Sequence, residues 1–321
     1  MIRNFGSSGV ENQPLGLDLG IDTLSYSQKN NLLTQYNSNL SNLPLSQQLG
    51  YLPTYGATTN PVRSLVQVVG SAYDTSGNGG RKQVRLKDGT LVIAVKTSTP
   101  SVILYKSTDG GGTWSSLYAY GTLSSPLDVS LATNGTYIYT LISAGAGTSV
   151  DVFNTSGSKI SSSNADTGQT FMGNCSLTYS QSDNTLHAAW ASKNSTYPNS
   201  FNIRYAKGVI NSDGSVTWGS VTQITPSNTS GFDNRNPTIT VKNGLPTIIF
   251  DFANGSYYIQ SYVYNGTSWN GYTVYSGTTY TQSYPSATVD NSGNIHVVWH
   301  GLDSTDTTKY NIRYSKSPTV G

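Results

Sequence analysis

The 321-residue chain has little charge: Lys, Arg, Asp and Glu make up 11% of it, against about a quarter in an ordinary globular protein. Glutamate is almost missing, since Glu11 is the single one and every other acid is an aspartate. Cysteine occurs once, at Cys175, which excludes an intrachain disulfide. With three scattered histidines it also excludes a Cys/His zinc site, and no metal or cofactor site is expected. No apolar run reaches the roughly 18 residues that a membrane helix needs. The net charge is +2 with no basic stripe, which excludes nucleic acid as the main partner. The opening "MIRNFGSSGVENQPLG" lacks the apolar core of a secretory signal.

Tyrosine, by contrast, is abundant at 23, and Ser, Thr, Asn and Gly fill much of the rest. Hydrophobic residues, 36% of the chain, are mostly β-branched or aromatic and alternate with polar ones between Gly, Asn and Ser turns. That pattern implies many half-buried strands and an all-β domain. A neutral, hydroxyl-rich surface suits a harsh exterior, yet no export signal is seen. A virion protein, made in a host cytoplasm and exposed outside, meets both conditions. A secreted chain is the alternative.

Five apolar runs recur: "TLVIAVK" from Thr90, "TYIYTLIS" from Thr136, "TLHAAWAS" from Thr185, "GLPTIIFDF" from Gly244 and "NIHVVWHG" from Asn294. Each follows a short polar turn, and the steps are 46, 49, 59 and 50 residues. A period of about 40–50 with short strands indicates propeller blades. The next strand repeats as well, as "FNIRYAK" from Phe201 and "YNIRYSK" from Tyr310.

After that strand in the first blade comes "STDGGGTW", where Ser107, Asp109, Gly111, Thr113 and Trp114 fit S-x-D-x-G-x-T-W. A worn copy, "NSDGSVTW", keeps Asp213, Thr217 and Trp218, and "YNGTSW" keeps Gly266 and Trp269. The motif resembles the Asp-box of sialidases and other BNR-repeat propellers. The resemblance implies a structural turn between a blade's third and fourth strands, on the face away from the binding site. Its Trp is expected to plug the gap between blades.

Blade cores are expected to begin near Lys82, Leu127, Cys175, Pro237 and Pro285, giving five blades over residues 61–321. The fifth runs out before its outermost strand, and "RSLVQVVGS" offers a strand at 64–70 to close it. Residues 1–60 read as a separate arm for anchoring or oligomerisation. A helix is expected from Asp22 as N-cap, with Leu33, Tyr36, Leu40 and Leu43 on one seam. That seam would bundle a homo-oligomer, contact other virion proteins, or lie on its own propeller.

The sialidase resemblance implies three arginines, an acid, and a tyrosine activated by a glutamate, together with an Arg-Ile-Pro motif. None of that chemistry is found: "NPVRS" is no such motif, and residues 61–321 hold no glutamate. No catalytic residue is assigned, although an aspartate pair would serve glycoside hydrolysis. Arg81, Arg85 and Arg235 are the candidates for an anion-holding cluster. Arg204 and Arg313 share one repeat position, as do His187 and His296, and all four are expected to be structural. The loops joining second to third strands, and one blade to the next, should share one face. They carry Tyr73, Asp74, Tyr197, Phe232, Asp233, Arg235, Tyr280, Tyr284, His300 and Asp303, with Arg81 beside them. Aromatic rings stack on sugars, and Asp and Arg bond their hydroxyls, so this face is the candidate glycan site.

The expectation is therefore a virion surface or tail attachment protein whose propeller binds a host-surface glycan or filament. A glycoside hydrolase or lyase acting on surface polysaccharide is the alternative, and a purely structural spike the third. Low charge also predicts tolerance of acid.

Overall fold

The computed structural model describes residues 73–74, 80–97, 101–124, 127–145, 147–254, 257–277 and 279–317. All belong to one unit, Val66–Gly321. None of the described residues is helical. They form a five-bladed β-propeller in which every strand pairing is antiparallel.

Blade one pairs β1 (Tyr73–Asp74) and β2 (Gln83–Arg85) along one edge of β3 (Leu91–Thr97), followed by β4 (Val102–Ser107) and β5 (Ser115–Ala119). Blade two is β6 (Leu127–Thr133), β7 (Ile138–Ala144), β8 (Gly147–Phe153) and β9 (Lys159–Thr167). Blade three is β10 (Gln169–Ser180), β11 (Thr185–Asn194) and β12 (Asn202–Ile210), with the outer edge shared by β13 (Val216–Trp218) and β14 (Thr222–Gln223). Blade four is β15 (Asp233–Lys242), β16 (Leu245–Ala253), β17 (Tyr257–Tyr264) and β18 (Trp269–Gly277). Blade five shows β19 (Gln282–Val289), β20 (Ile295–Gly301) and β21 (Asn311–Lys316). The strand expected at 64–70 to complete it lies outside the described residues, as do the arm at 1–60 and the helix expected in it.

The five apolar runs form the second strands β3, β7, β11, β16 and β20. Their alternation feeds two cores at once, because successive side chains leave opposite faces of a sheet. Ile248 and Phe250 pack toward blade three with Ile203. Ile249, one residue on, packs toward blade five with Val297 and Trp299. Leu141 and Val152 meet Leu186 and Trp190 between blades two and three, and Val92 and Leu104 meet Val129 and Phe153 between one and two. The other face of blade five carries Val298, Ile312 and Tyr314, which are 42%, 79% and 58% exposed.

Neighbouring inner strands touch without forming a ladder, so side chains satisfy their backbone. Asp128 accepts the Cys175 N–H at 3.0 Å, Ser130 accepts that of Leu177 at 3.0 Å, and Ser176 accepts that of Ile239 at 3.2 Å. This is one use of the hydroxyl-rich composition: buried backbone donors need partners.

Three inner strands start earlier than expected, at Gln169, Asp233 and Gln282 rather than Cys175, Pro237 and Pro285. A bulge splits each of them, between Met172 and Cys175, Arg235 and Thr238, and Ser283 and Ser286. Asn236 and Tyr284 take left-handed φ values of 52° and 54° there. Each precedes a proline whose missing N–H falls in the gap, a place where strands tolerate proline. The sequence pattern starts the strand at the proline; the ladder resumes above it. Asp233, Arg235 and Tyr284 therefore sit on strands rather than in loops, as do Tyr73 and Asp74 on β1 and His300 on β20.

The turn after β4 closes on itself. Asp109 Oδ1 accepts from the Ser107 hydroxyl at 2.8 Å and the Thr113 N–H at 2.9 Å, while Oδ2 accepts from the Thr113 hydroxyl at 2.9 Å. Ser107 Oγ accepts the Gly111 N–H at 2.8 Å, with Gly110 and Gly111 at positive φ. The Trp114 indole donates to Gly111 O at 3.2 Å, within its own turn. The copy in blade three differs: Asp213 accepts from Ser215, and Asn211 rather than Asp213 holds the Thr217 hydroxyl, at 3.1 Å. Trp218 reaches across blades, donating to Ser163 Oγ on β9 at 3.1 Å, and Trp269 does so from blade four, its ring edge-on to Tyr205 of blade three at 5.0 Å between centroids. Blades two and four fill the place with amides: Asn154 accepts the Ser156 and Ser158 N–H groups, and Asn265 those of Thr267 and Ser268.

Candidate functional site

The upper face holds the second-to-third-strand loops and the connections between blades. Its built centre is the seam of blades four and five. Asp251 lies near the top of β16, opposite Arg235 on β15, and its side chain turns toward blade five like that of Ile249. It is 7% exposed. Asn236 Nδ2 donates to both carboxylate oxygens at 3.0 Å, and the Tyr284 N–H faces the group from β19. Burial pushes the carboxyl up to about 7, against the lowering by Asn236, the Arg235 charge and that N–H.

Other buried carboxylates face a cation. Asp128 meets Lys82 at 2.7 Å, Asp151 meets Lys159 at 3.5 Å, and Asp166 meets Arg204 at 3.3 Å. Asp251 is hydrogen-bonded by an amide instead, with the Arg235 charge opposite it. A carboxyl kept half-protonated at neutral pH at the top of a propeller is a candidate acid.

The same β19 segment carries an aromatic group. Tyr284 is 40% exposed and meets the His300 ring edge-on, 5.1 Å between centroids. His300 stacks on Tyr310 at 4.4 Å, and Ser283 Oγ lies 3.0 Å from its Nε2. Desolvation lowers the His300 pKa and so favours its neutral ring. The left-handed backbone at Tyr284, repeated at Asn236 in the equivalent bulge, is costly for a bulky residue.

The remaining sequence candidates disperse. Arg235 is exposed opposite Asp251 and belongs to the site. Asp233 is spent on the Phe201 N–H at 2.9 Å. Asp303 is spent on the Thr305 and Asp306 N–H groups and on Arg313. Phe232 packs edge-on against Phe252, 6.1 Å between centroids, away from Tyr284 in a row that continues to Tyr258. Tyr197 closes a turn onto Asn194, and the Tyr280 carbonyl accepts from Gln282 at 3.3 Å. Tyr73 and Asp74 pair with Thr97 and Lys96 across the top of blade one. Arg81 and Arg85 line a cavity with Thr133 and Tyr179, which end their strands at the opposite face, so they form no cluster with Arg235. The residues expected to be structural are so: His187 and His296 each hold a tyrosine hydroxyl at 2.8 Å, and Arg204 and Arg313 each meet an aspartate.

Sequence reasoning missed Asp251, Asn236, Ser283 and Tyr310. A signal existed for the first: an acid inside the apolar run "TIIFDF" has to be buried or functional. Among the described residues no three His, Cys, Asp or Glu side chains are grouped to hold a metal ion.

No family model and no curated protein matches the chain. Solved structures do. An ulvan lyase of a new polysaccharide lyase family, bound to a glucuronate–sulfated rhamnose unit, superposes with a TM-score of 0.51 at 12% identity. The match covers 72% of this chain and 62% of that one, so this chain spans under two thirds of the lyase. The Fusarium graminearum α-L-arabinofuranosidase with arabinobiose gives 0.49 at 14% identity, over 72% and 79% of the two chains. A mutant of the Streptococcus pneumoniae sialidase NanB gives 0.43 at 16%, over 54% and 29%. The likeness to the lyase shows a shared fold.

Proposed function

We propose that the protein acts on a polysaccharide at the upper end of blades four and five. The observation that carries this reading is Asp251, a buried carboxyl that burial pushes up to about 7, faced by the backbone N–H of Tyr284, whose ring is exposed. Tyr284 and Tyr310 offer faces on which sugar rings stack. Protonated Asp251 donates to a departing glycosidic oxygen, as an acid tuned to neutral pH does. Arg235 neutralises a uronate carboxylate, and neutral His300 takes the proton from the carbon beside it. That electron pair forms the carbon–carbon double bond, the glycosidic C–O bond breaks, and the leaving oxygen takes the Asp251 proton. Hydrolysis would instead need a second carboxyl across the sugar. The acids of the upper-face loops and strand starts, Asp233, Asp303 and Asp306, are committed to backbone donors, so elimination suits the site better.

The test is incubation with uronate-containing and neutral polysaccharides, reading the ultraviolet absorbance of unsaturated ends beside total reducing ends. Unsaturated ends that vanish in Asp251→Asn and His300→Asn support the reading. Reducing ends without absorbance turn it to hydrolysis, and neither signal overturns it.

Binding without turnover is the second reading, favoured by the low exposure of Asp251. It keeps the attachment role of a virion surface protein, with a host-surface glycan or filament as partner and residues 1–60 meeting other virion proteins. Saturable glycan binding with no new ends is its result. We take the S-x-D-x-G-x-T-W turn to be of the Asp-box type and assign it no part in either chemistry.

A further inference from the structure

A second site lies inside the ring at the face away from Tyr284. Gln83 and Arg85 on β2 and Arg81 just before it occupy alternate positions of the chain, and all three are exposed. Thr133 at the end of β6 and Tyr179 near the end of β10 complete a cavity of 320 Å³. This is the small end of the range for ligand pockets, about 300–1,000 Å³.

The charges in this cavity are unbalanced. Neither Arg81 nor Arg85 has an ion-pair or hydrogen-bond partner for its guanidinium among the described residues. The nearby acid on the same segment, Asp88, turns its carboxylate back on the Thr90 N–H at 2.9 Å. Loss of bulk water around Arg81 lowers its pKa, yet arginine stays charged at any ordinary pH. The largely buried cations Lys82 and Arg204 pair with Asp128 and Asp166, whereas Arg81 and Arg85 are exposed into the cavity. Two like charges facing one cavity repel, and an anion held between them reverses the sign of that interaction. Guanidinium forks match the oxygen geometry of phosphate and similar oxyanions. Gln83 adds an amide, while the Tyr179 hydroxyl already donates to Asn184 and that of Thr133 to Tyr137 O.

We propose that Arg81 and Arg85 form a binding site for a sulfate- or phosphate-type oxyanion, either free or carried as an ester on a polymer. The site is separate from Asp251 and does not rest on the reading of the upper face.

The test uses the full chain in calorimetry and thermal-shift titrations. Sodium sulfate and sodium phosphate are compared with sodium chloride at matched ionic strength, and dextran sulfate with dextran. The expected result is saturable binding of an oxyanion probe, weakened at least tenfold in Arg81→Gln and in Arg85→Gln. A surface control, Lys309→Gln, keeps it. Response to inorganic sulfate or phosphate identifies a free ion, and response to dextran sulfate alone identifies an ester on a polymer. Arg81→Lys and Arg85→Lys keep the charge but lose the fork, and an intermediate affinity in them shows that a folded site is being read. No saturable response to any probe, or equal binding by wild type and both glutamine variants, would overturn the proposal.

Discussion

Asn236 places its side-chain amide 3.0 Å from each carboxylate oxygen of Asp251. It does so from a left-handed backbone, so Asn236→Gly keeps the bulge and removes the amide alone. The amide favours the charged carboxylate, and its loss raises the Asp251 pKa further. Any activity that needs protonated Asp251 falls as pH rises through about 7 in the wild type. In Asn236→Gly that alkaline limb moves to higher pH. Stability at pH 8 falls by about 1–3 kcal/mol, the cost of a buried acceptor left without its donor. A pH–rate profile beside denaturant melts checks both, and an unmoved alkaline limb would remove Asp251 from the chemistry.

Two buried groups set opposite pH dependences on stability. His187 is fully buried between Thr185 and Tyr205, and desolvation lowers its pKa from 6.5 to about 4. The unfolded chain binds that proton first, so stability is lost as pH falls from 6.5 to about 4, by about 3 kcal/mol. Asp251 is raised from 3.8 to about 7, so the folded state binds the proton first. Acidification over that range adds about 4 kcal/mol. The two terms offset each other, and the wild-type melting temperature should stay nearly level between pH 6.5 and 4. Asp251→Asn removes the gain, and its melting temperature should fall across the same window. A parallel response of the two proteins would show that the offset is absent.

Tyr284 stores backbone strain. Its φ of 54° costs roughly 1–2 kcal/mol for a residue with a side chain. Tyr284→Gly relieves that strain and removes the exposed ring that meets His300. The expected outcome is a crossed one: stability within about 1 kcal/mol of wild type or above it, and polysaccharide affinity lower by tenfold or more. Tyr284→Ala loses the ring and keeps the strain, so it should be less stable than the glycine variant. Melting curves and binding isotherms on the two variants separate these effects, and unchanged affinity in both would place the sugar elsewhere.

The ring was legible because its signals are local. Period-two alternation, a polar turn before each second strand and the repeated "NIRY" each report one strand and its neighbour. The site was less legible because it is built across a bulge. Reading the inner strand from Pro285 put Tyr284 in a loop, when the ladder continues above it and turns Tyr284 onto His300. Asp233 and Asp303 looked like sugar ligands by residue type, but they satisfy backbone donors that no alternation pattern records. Asp251 depends on contacts with Asn236 fifteen positions earlier and Tyr284 in the next blade. Arg81, Arg85 and Arg235 group as an anion cluster by residue type and strand position, and a one-dimensional reading has no means of telling which end of the ring each faces.

The first-blade turn supplies a prediction about the fold alone. Asp109 accepts from two side chains and a backbone N–H, which hold its carboxylate well below the usual range although it is solvent-exposed. Asp213 accepts from Ser215 alone, through one N–H and one hydroxyl, and is lowered as well. Asp109→Ala should therefore lower the melting temperature more than Asp213→Ala, with polysaccharide affinity and the alkaline limb unchanged in both. A depressed folded pKa contributes stability above the unfolded value near 3.8 and loses it as pH falls toward the folded one. The gap between wild type and Asp109→Ala should accordingly be widest above pH 4 and close as pH falls toward 2. Thermal melts at pH 7, 4 and 2 read this directly. A gap that does not change with pH would mean the turn is held by Ser107 and its glycines rather than by the carboxylate, since Ser107 Oγ bonds Gly111 at any pH.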